Sequence, residues 1–582
     1  MKKIFAIILT VLAISACSDK ILDIKPTNSI SDAAVWSDPS LIRAYHTALF
    51  NAIPHGFKID MQCKTTDEIV TVNSGSSPVI ALATLTPDNV GNLSTTQWHG
   101  GCNLNYWNQA YQYLRRINFF LEQMETTEVS MQDKDKLVAE ARFLRAFIYF
   151  YLIERYGDVP LVTQSYELGS DNTFTSTPFD EIVAFIDKEL AAIMPLLPDY
   201  YATNDANFGH PTKAVCQALL SRMYLYAASP LFNTSNDKSK WNKAYEASKK
   251  FIDTYTQYSL YPDYEKLFNQ ASGTPNSEII FAQNFTSTSS HQYPINTIGR
   301  RYGGYGGWWG SSGVSKELLD DYDMINGEPA FIWNNGVKTI NPASGYDPQH
   351  PYDNRDPRMD MCILHDGSQF HGVTFEMWVS SDGTSWGYDN VHQSSDNPAS
   401  NQQMRKFMPP DEIPLTWQEK YVMPWIHFRL AEIYLNFAEA AFETGKEAEC
   451  REYINKIRAR VGMPGLPASV TGEALRARLY NERRIELVFE EHRYFDLRRW
   501  MIASEVLNRP GHGIKITLDK ATGVKTYEDE LLLDRKFNDS MYLLPIATDE
   551  LLKNNGTLQQ TRTWRYFLIF VLWLGIQPQH NF

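Results

Sequence analysis

The 582-residue sequence predicts a mainly α protein, a tetratricopeptide-like helical repeat scaffold that carries a loop-rich irregular module. Three observations lead there. Long segments in the first and last thirds repeat apolar residues every three or four positions, as amphipathic helices do. The helices come in close pairs, and the pair from Arg429 to Pro464 fills about the 34 residues of one tetratricopeptide unit. Between residues 270 and 420 that period vanishes, and Gly, Pro, Ser, Asn, Trp and Tyr dominate.

The elements follow in order. Lys2 and Lys3 precede an apolar run, Ile4 to Ile14, that is too short to span a bilayer, and Ser15 and Ala16 stand just before Cys17. Residues 1–16 therefore read as a secretory signal peptide. "LAISAC" resembles a bacterial lipobox, in which the chain is cut before a cysteine that then carries acyl chains, so Cys17 is the expected lipid anchor. A polar tether runs to a helix entrance at Asn28 to Asp32. "YWNQAYQYLRRINFFLEQM" and "KDKLVAEARFLRAFIYFYLIERYGDVPLV" form a predicted helical hairpin, the second helix stopping at Gly157 before Pro160. "HPTKAVCQALLSRMYLYAASP" starts on Thr212 as N-cap, and Ala214, Ala218 and Ser221 make a small-residue stripe that lets another helix come close. "WNKAYEASKKFIDTY" is the next amphipathic member. "RLAEIYLNFAEAAFETG" stops at Gly445, with Ala431, Leu435, Ala438 and Phe442 on one face, and "KEAECREYINKIRARVGMPG" runs back to Gly462. Such pairs cannot bury their faces alone and must stack. The expected division is 1–16 signal peptide, 17–265 lipid-anchored helical part, 266–420 loop-rich ligand-binding module, 421–560 C-terminal helical part, and 561–582 atypical tail.

Composition excludes several function classes. A net charge of −14 argues against nucleic acid, whose phosphates call for basic stripes. With Cys17 assigned to lipid, five cysteines remain; no C-x-x-C or zinc-finger spacing occurs, so neither a metal nor a cofactor is expected. An odd remainder leaves at least one thiol free. "ERRIELVFEEHRYFDLRRW" gathers carboxylates, a histidine and arginines, and reads as a helix laced by ion pairs three and four residues apart rather than as a metal site. Nucleophile-elbow, zincin and phosphate-loop motifs are absent, and no spacing selects a catalytic carboxylate pair. The reading is a non-catalytic protein.

The aromatic share of 13% is high. "RYGGYGGWWGSSG", Arg301 to Gly313, sets four rings among glycines and serines, where no core can take them all. Sugar rings present apolar C–H faces between hydroxyls, and flat aromatic rings with closely approaching backbone suit them. The candidate glycan-binding residues are Tyr302, Tyr305, Trp308 and Trp309, with Trp98 and Trp333 as weaker members. One of Trp308 and Trp309 is equally expected to pack against a helix starting near Ser315, and Trp378, Trp386 and Tyr388 form the reserve site. A membrane-anchored protein-binding adaptor without glycan binding is the alternative reading.

Taken together and in order, the lipobox with "LDIKPTNSISDAAVW", then "AEARFLRAFIYFYLIERYGDVPLV", "PTKAVCQALLSRMYLYAA", "NRDPRM", "RLAEIYLNFAEAAFETG" and "NERRIELVFEEHRYFDLRRW", resemble the SusD/RagB family of Bacteroidetes. The resemblance runs from Cys17 to about Gln560. It implies four tetratricopeptide-like units and an outer-membrane, surface-exposed lipoprotein. Such a protein captures a glycan as a lid over a TonB-dependent transporter of the SusC type. Family members close soon after a stretch like "MYLLPIATDELLKNNGTLQQ", whereas this chain continues "TRTWRYFLIFVLWLGIQPQHNF". Codons for Asn-Pro read as Thr-Arg when shifted by one base, so the expectation is an out-of-frame tail.

Overall fold

The computed structural model describes residues 32–58, 61–70, 76–94, 102–166, 173–302, 312–334 and 337–565. Helices dominate both ends. Pro39–Leu49 forms α1, Trp107–Thr126 α2, Lys134–Tyr156 α3, Phe179–Ile193 α4, Lys213–Ala228 α5 and Lys238–Thr254 α6. The short α7, Lys316–Asp321, lies in the irregular middle; Leu430–Glu443 is α8, Glu447–Arg460 α9, Gly472–Glu486 α10 and Arg493–Arg499 α11. The predicted helices thus form where the apolar period placed them. Gly157, at φ +73°, ends α3 in a conformation that other residues rarely adopt. Thr212 caps α5, its hydroxyl accepting from the Val215 N–H at 3.2 Å. The predicted hairpin of α2 and α3 goes on into α4, which the sequence reading did not single out: Arg142 and Arg145 of α3 both reach Glu189 of α4, at 2.9 and 2.7 Å.

The small-residue stripe of α5 does what its spacing predicts. Ala214, Ala218 and Ser221 are fully buried, and helices approach from two sides. Ser221 shares a 2.8 Å hydroxyl contact with Ser248 of α6 and accepts from Asn436 of α8 at 3.1 Å. Pairs α3–α4, α5–α6 and α8–α9 stack around one continuous core. Helix α8 is buried on almost every side, and Ala431 and Leu435 pack in a separate cluster with Ile457 and Leu487, while Ala438 and Phe442 join the main core.

Short strands complete the frame: β1 Ile279–Gln283, β2 Phe331–Asn334, β3 Val337–Ile340, β4 Ile363–His365, β5 Val379–Ser380, β6 Gln402–Met404, β7 Trp425–Arg429, β8 Gly511–Leu518 and β9 Lys525–Leu533, beside a minimal antiparallel pair of Gln369–Phe370 with Val373–Thr374. Among the described residues they pair in twos, with one sheet of three strands. β2 and β3 make a hairpin, β8 and β9 another, and β5 adds to β8 in parallel. The antiparallel ribbon of β1 and β7 lies between two cores: Phe281 and Phe428 face the helical core, Ile279 and Ile426 the second core. Burial on both faces explains the unbroken apolar run Ile279 to Ala282. The second core draws mainly on residues 264–426, but also takes Phe57, Met61, Cys63 and Ile69 from early in the chain and Ile485, Val488 and Phe489 from late in it.

"ERRIELVFEEHRYFDLRRW" departs from the sequence reading. It folds as two helices, α10 and α11, joined by a tight turn in which Phe489 and Glu491 take positive φ, and its charges are buried rather than laid along one face. Most of its ion pairs are tertiary. Glu486 receives Arg429 at 2.6 Å, Arg460 at 2.5 Å and Arg358 at 3.0 Å, and Arg499 reaches Glu439 at 2.5 Å. A pair three residues apart, Arg499 with Asp496, is retained at 2.8 Å. The carboxylates fill positions where a scaffold packs against a loop module: Glu482 and Glu486 are offset by guanidinium groups from other segments, Glu490 by Arg429 and Lys406, and Asp496 by Arg483 and Arg499 of the stretch itself.

All five described cysteines are buried, and Cys63, Cys216, Cys362 and Cys450 are free thiols. The packed chain continues past Gln560: Thr561 donates to the Leu544 carbonyl at 3.0 Å, and Trp564 is fully buried with its indole N–H on the Leu543 carbonyl at 2.9 Å. Residues 566–582, the greater part of the tail, lie outside the described residues, as do residues 1–31 with Cys17.

Candidate glycan-binding site

The glycine and aromatic loop leaves and rejoins the fold at one place, strand β6. On the outgoing side, the Thr297 carbonyl accepts from the Gln403 amide at 3.1 Å, and the Arg300 N–H donates to Asn397 at 3.0 Å. On the returning side, Gly313 bridges Gln403, and the Val314 N–H donates to the Gln402 carbonyl at 3.1 Å. Beyond it Ser315 caps α7 by accepting from the Leu318 N–H at 3.1 Å. Both described ends of the loop are thus stitched to the same strand.

Tyr305, Trp308, Trp309 and Trp98 lie outside the described residues, and for Tyr302 the backbone alone is described, in a single helical turn, Arg300–Tyr302. Trp333 is described. It stands on β2, 49% exposed, with the Arg509 guanidinium 4.0 Å above its ring, so its recorded partner belongs to another part of the fold than the loop's roots.

The reserve residues stand beside those roots. Trp386 and Tyr388 are 37% and 41% exposed, whereas Trp378 is half-buried against the second core. The segment carrying them is fixed from below. Gly387 donates to the Trp378 carbonyl at 2.8 Å, and a Cβ at Gly387 would fall 2.3 Å from the Glu376 carbonyl oxygen, which only glycine permits. Arg301, the first residue of the loop, clamps buried Asp389 through two bonds at 2.9 and 2.5 Å and lies 4.5 Å from the Tyr388 ring centroid. Arg300 sends its guanidinium to the Gln393 carbonyl at 2.8 Å, and the Trp386 indole N–H donates to the Gln393 side chain at 2.7 Å. Two exposed rings are thereby locked next to the exit of a loop carrying four more. The arrangement can stack against flat apolar faces and hydrogen-bond hydroxyls.

The other wall at the return point is the buried segment Asp67 to Val70. Val70 donates to the Gly313 carbonyl at 2.9 Å, and Ser315 donates to the Glu68 carbonyl at 2.9 Å. Burial raises the Asp67 carboxyl, but the guanidinium groups of Arg484 and Arg493 outweigh it and hold the group well below the usual carboxylate range. At Glu68 next to it burial prevails: it pushes the carboxyl from 4.5 up to about 7, against a hydrogen bond from the Phe489 N–H at 3.1 Å and the weaker pull of Arg484 and Arg493. The folded chain therefore keeps this proton between pH 4.5 and 7 where the unfolded chain releases it, and stability from this group falls as pH rises through that window. Glu68→Gln removes the penalty while keeping an acceptor for Phe489. Its stability relative to wild type is expected to climb between pH 4.5 and 7, by about 3 kcal/mol at most, and to level off above. Urea titrations across that range check this, and a difference independent of pH contradicts it.

Among the described residues no group of three or more His, Cys, Asp or Glu is placed to hold a metal ion, and no helix is long and apolar enough to cross a membrane.

Two family models match the chain: the SusD family over residues 277–564, and a family described as starch-binding and associating with the outer membrane over residues 22–225. A SusD-like protein of Formosa agariphila is 23% identical over 464 residues, 78% of this chain and 79% of the relative. The starch-binding protein SusD of Bacteroides thetaiotaomicron is 26% identical over 413 residues, 66% of this chain and 68% of the relative. Among solved structures, a SusD-like protein of Bacteroides fragilis superposes with a TM-score of 0.73 at 26% identity, covering 92% of this chain and 99% of that one. A laminarin-binding SusD-like protein shares the fold, with a TM-score of 0.60 at 22% identity, over 90% of this chain and 99% of that one. Stacked helical pairs, a loop-rich module seated on them and matches to both halves lead to one conclusion: the chain belongs to the SusD/RagB family.

Proposed function

We propose that the protein captures an oligo- or polysaccharide at the cell surface and delivers it, uncleaved, to a TonB-dependent outer-membrane transporter of the SusC type. The observation that carries the capture step is the pair of exposed rings, Trp386 and Tyr388, locked by Arg301 and Gln393 at the root of the glycine and aromatic loop. The relatives named for binding starch and laminarin support the same ligand class. The loop rings Tyr302, Tyr305, Trp308 and Trp309 would lie along the C–H faces of the sugar, while nearby amide and hydroxyl groups take the hydroxyls. Family membership supports the transporter partner.

Retention of the purified mature protein on a panel of polysaccharide gels, with reducing ends assayed alongside, tests this reading. Binding without new reducing ends is expected; new reducing ends would make the protein a hydrolase, and no retention on any gel would favour the adaptor.

Cys17 is the proposed anchor. Several acyl chains on one residue hold a protein stably, and no helix among the described residues substitutes for them. Cys17→Ala is expected to move the exported protein from the membrane pellet to the soluble fraction. Membrane retention of the variant without detergent contradicts the assignment.

A further inference from the structure

Away from the loop-rich module, helix α2 lines a groove with two adjoining stripes, one of buried and half-buried rings and one of exposed amides. Trp107 and Tyr111, four residues apart, form one; Asn108 and Gln112, likewise four apart, form the other. With Val162, Gln164, Tyr166 and Phe174 opposite and the helix Thr548–Lys553 at one end, they enclose a groove of about 620 Å³. That size is typical of small-molecule sites.

The groove combines fixed rings with free amides. Tyr111 donates its hydroxyl to the Pro160 carbonyl at 2.9 Å, and its ring lies 4.9 Å from that of Trp107. Tyr166 and Phe174 meet edge to face at 5.3 Å, and the Phe174 N–H is held by Asn554 at 3.0 Å. In contrast, the side chains of Asn108, Gln112 and Gln164 are exposed and make no hydrogen bond among the described residues. A carboxamide both donates and accepts, which matches a hydroxyl that does the same. Charge is nearly balanced: Lys553 is paired with Glu550 at 2.6 Å, leaving Arg115 at the rim, bonded through its Nε to the Tyr166 carbonyl at 3.3 Å. An anionic ligand would find little excess positive charge, and a purely apolar one would strand three amides.

The geometry points to a second carbohydrate site, one that takes a short run of neutral pyranose units in the groove between α2 and the wall of Pro160, Val162, Gln164, Tyr166 and Phe174. It shares no residue with the loop site and does not depend on it.

The test uses the full mature chain carrying Trp386→Ala, Tyr388→Ala and alanines at the four loop rings, titrated calorimetrically with hexasaccharides of α-1,4-glucan, β-1,3-glucan, β-1,4-mannan and β-1,4-xylan. At least one is expected to bind this loop variant with one site per chain, and adding Asn108→Ala and Gln112→Ala to weaken it at least tenfold with an unchanged melting temperature. The inference is overturned if the loop variant binds none of the four, if the residual binding ignores the groove substitutions, or if an extended peptide rather than a glycan occupies the groove. Loss in the loop variant relative to wild type reports on the capture reading alone, so the two readings fail separately.

Discussion

Replacing Glu486 with alanine is expected to cost about 3–5 kcal/mol, the largest stability loss predicted for any one residue of this chain. Glu486 is fully buried. Burial by itself raises its carboxyl, but Arg460, Arg429 and Arg358 outweigh that and hold the group far below the usual range, so it is charged whenever the chain is folded. Those three guanidiniums come from α9, the end of β7 and the segment just before β4, and alanine would leave them with one fewer counter-charge in a dry interior. Arg429 would keep Glu278 and Glu490, both at 2.7 Å, and Arg358 would keep Asp356 and Glu482, both at 2.7 Å. The remaining network would be strained by excess positive charge, not dismantled. Against a total stability of about 5–15 kcal/mol the loss is large. Because the folded carboxyl lies below its unfolded value, its contribution is present above about pH 4.5 and is lost as pH falls further. Urea denaturation at pH 7 measures the cost, and a change under about 1 kcal/mol would show the network to be dispensable.

The largest functional effect is expected at the aromatic surface. Alanine at Tyr302, Tyr305 and the exposed one of Trp308 and Trp309, together with Trp386→Ala and Tyr388→Ala, should lower affinity for the captured polysaccharide more than a hundredfold, about 3 kcal/mol. Aromatic anchors carry a disproportionate share of binding energy. Stability should move little, since exposed positions typically shift it by about 0.5 kcal/mol. Tyr388 has the most to lose, because Arg301 stacks on it; yet Arg301 keeps Asp389, so the segment should hold its course. Unchanged retention in affinity electrophoresis would remove the rings from the site. A large fall in melting temperature would make them structural.

Much of the fold was legible because helices are local. Gly157, Thr212 and the Ala214, Ala218, Ser221 stripe each announce a boundary or contact that the structure contains. Helix α4 went unmarked, although Phe179, Ile182, Val183, Ile186, Leu190 and Ile193 keep a helical period. The buried charge network was misread because carboxylates and arginines at helical spacing look like a solvated face. The correcting signal was present: Leu475, Leu479, Glu482 and Glu486 continue a single stripe at spacings of four, three and four, so the acids face wherever the leucines face. All four are buried. The site was half legible. Residue type alone flags a run such as "RYGGYGGWWGSSG", but its roots at Asn397 and Gln403 are about a hundred residues away in sequence, and no local pattern records such pairings. For the same reason Trp386 and Tyr388 stood only in reserve, and the tie that brings them to the loop, Arg301 to Asp389, became visible with the fold.

Hydroxyl-radical footprinting of the full mature protein, with and without the polysaccharide that retains it best, tests the central claim most directly. Capture by the loop-rich module predicts that the glycan shields Trp386, Tyr388 and the rings between Arg301 and Gly313, while buried Trp425 and Trp564 stay unreactive in both states. A bound polysaccharide that leaves Trp386, Tyr388 and the loop rings as reactive as in the free protein would contradict it.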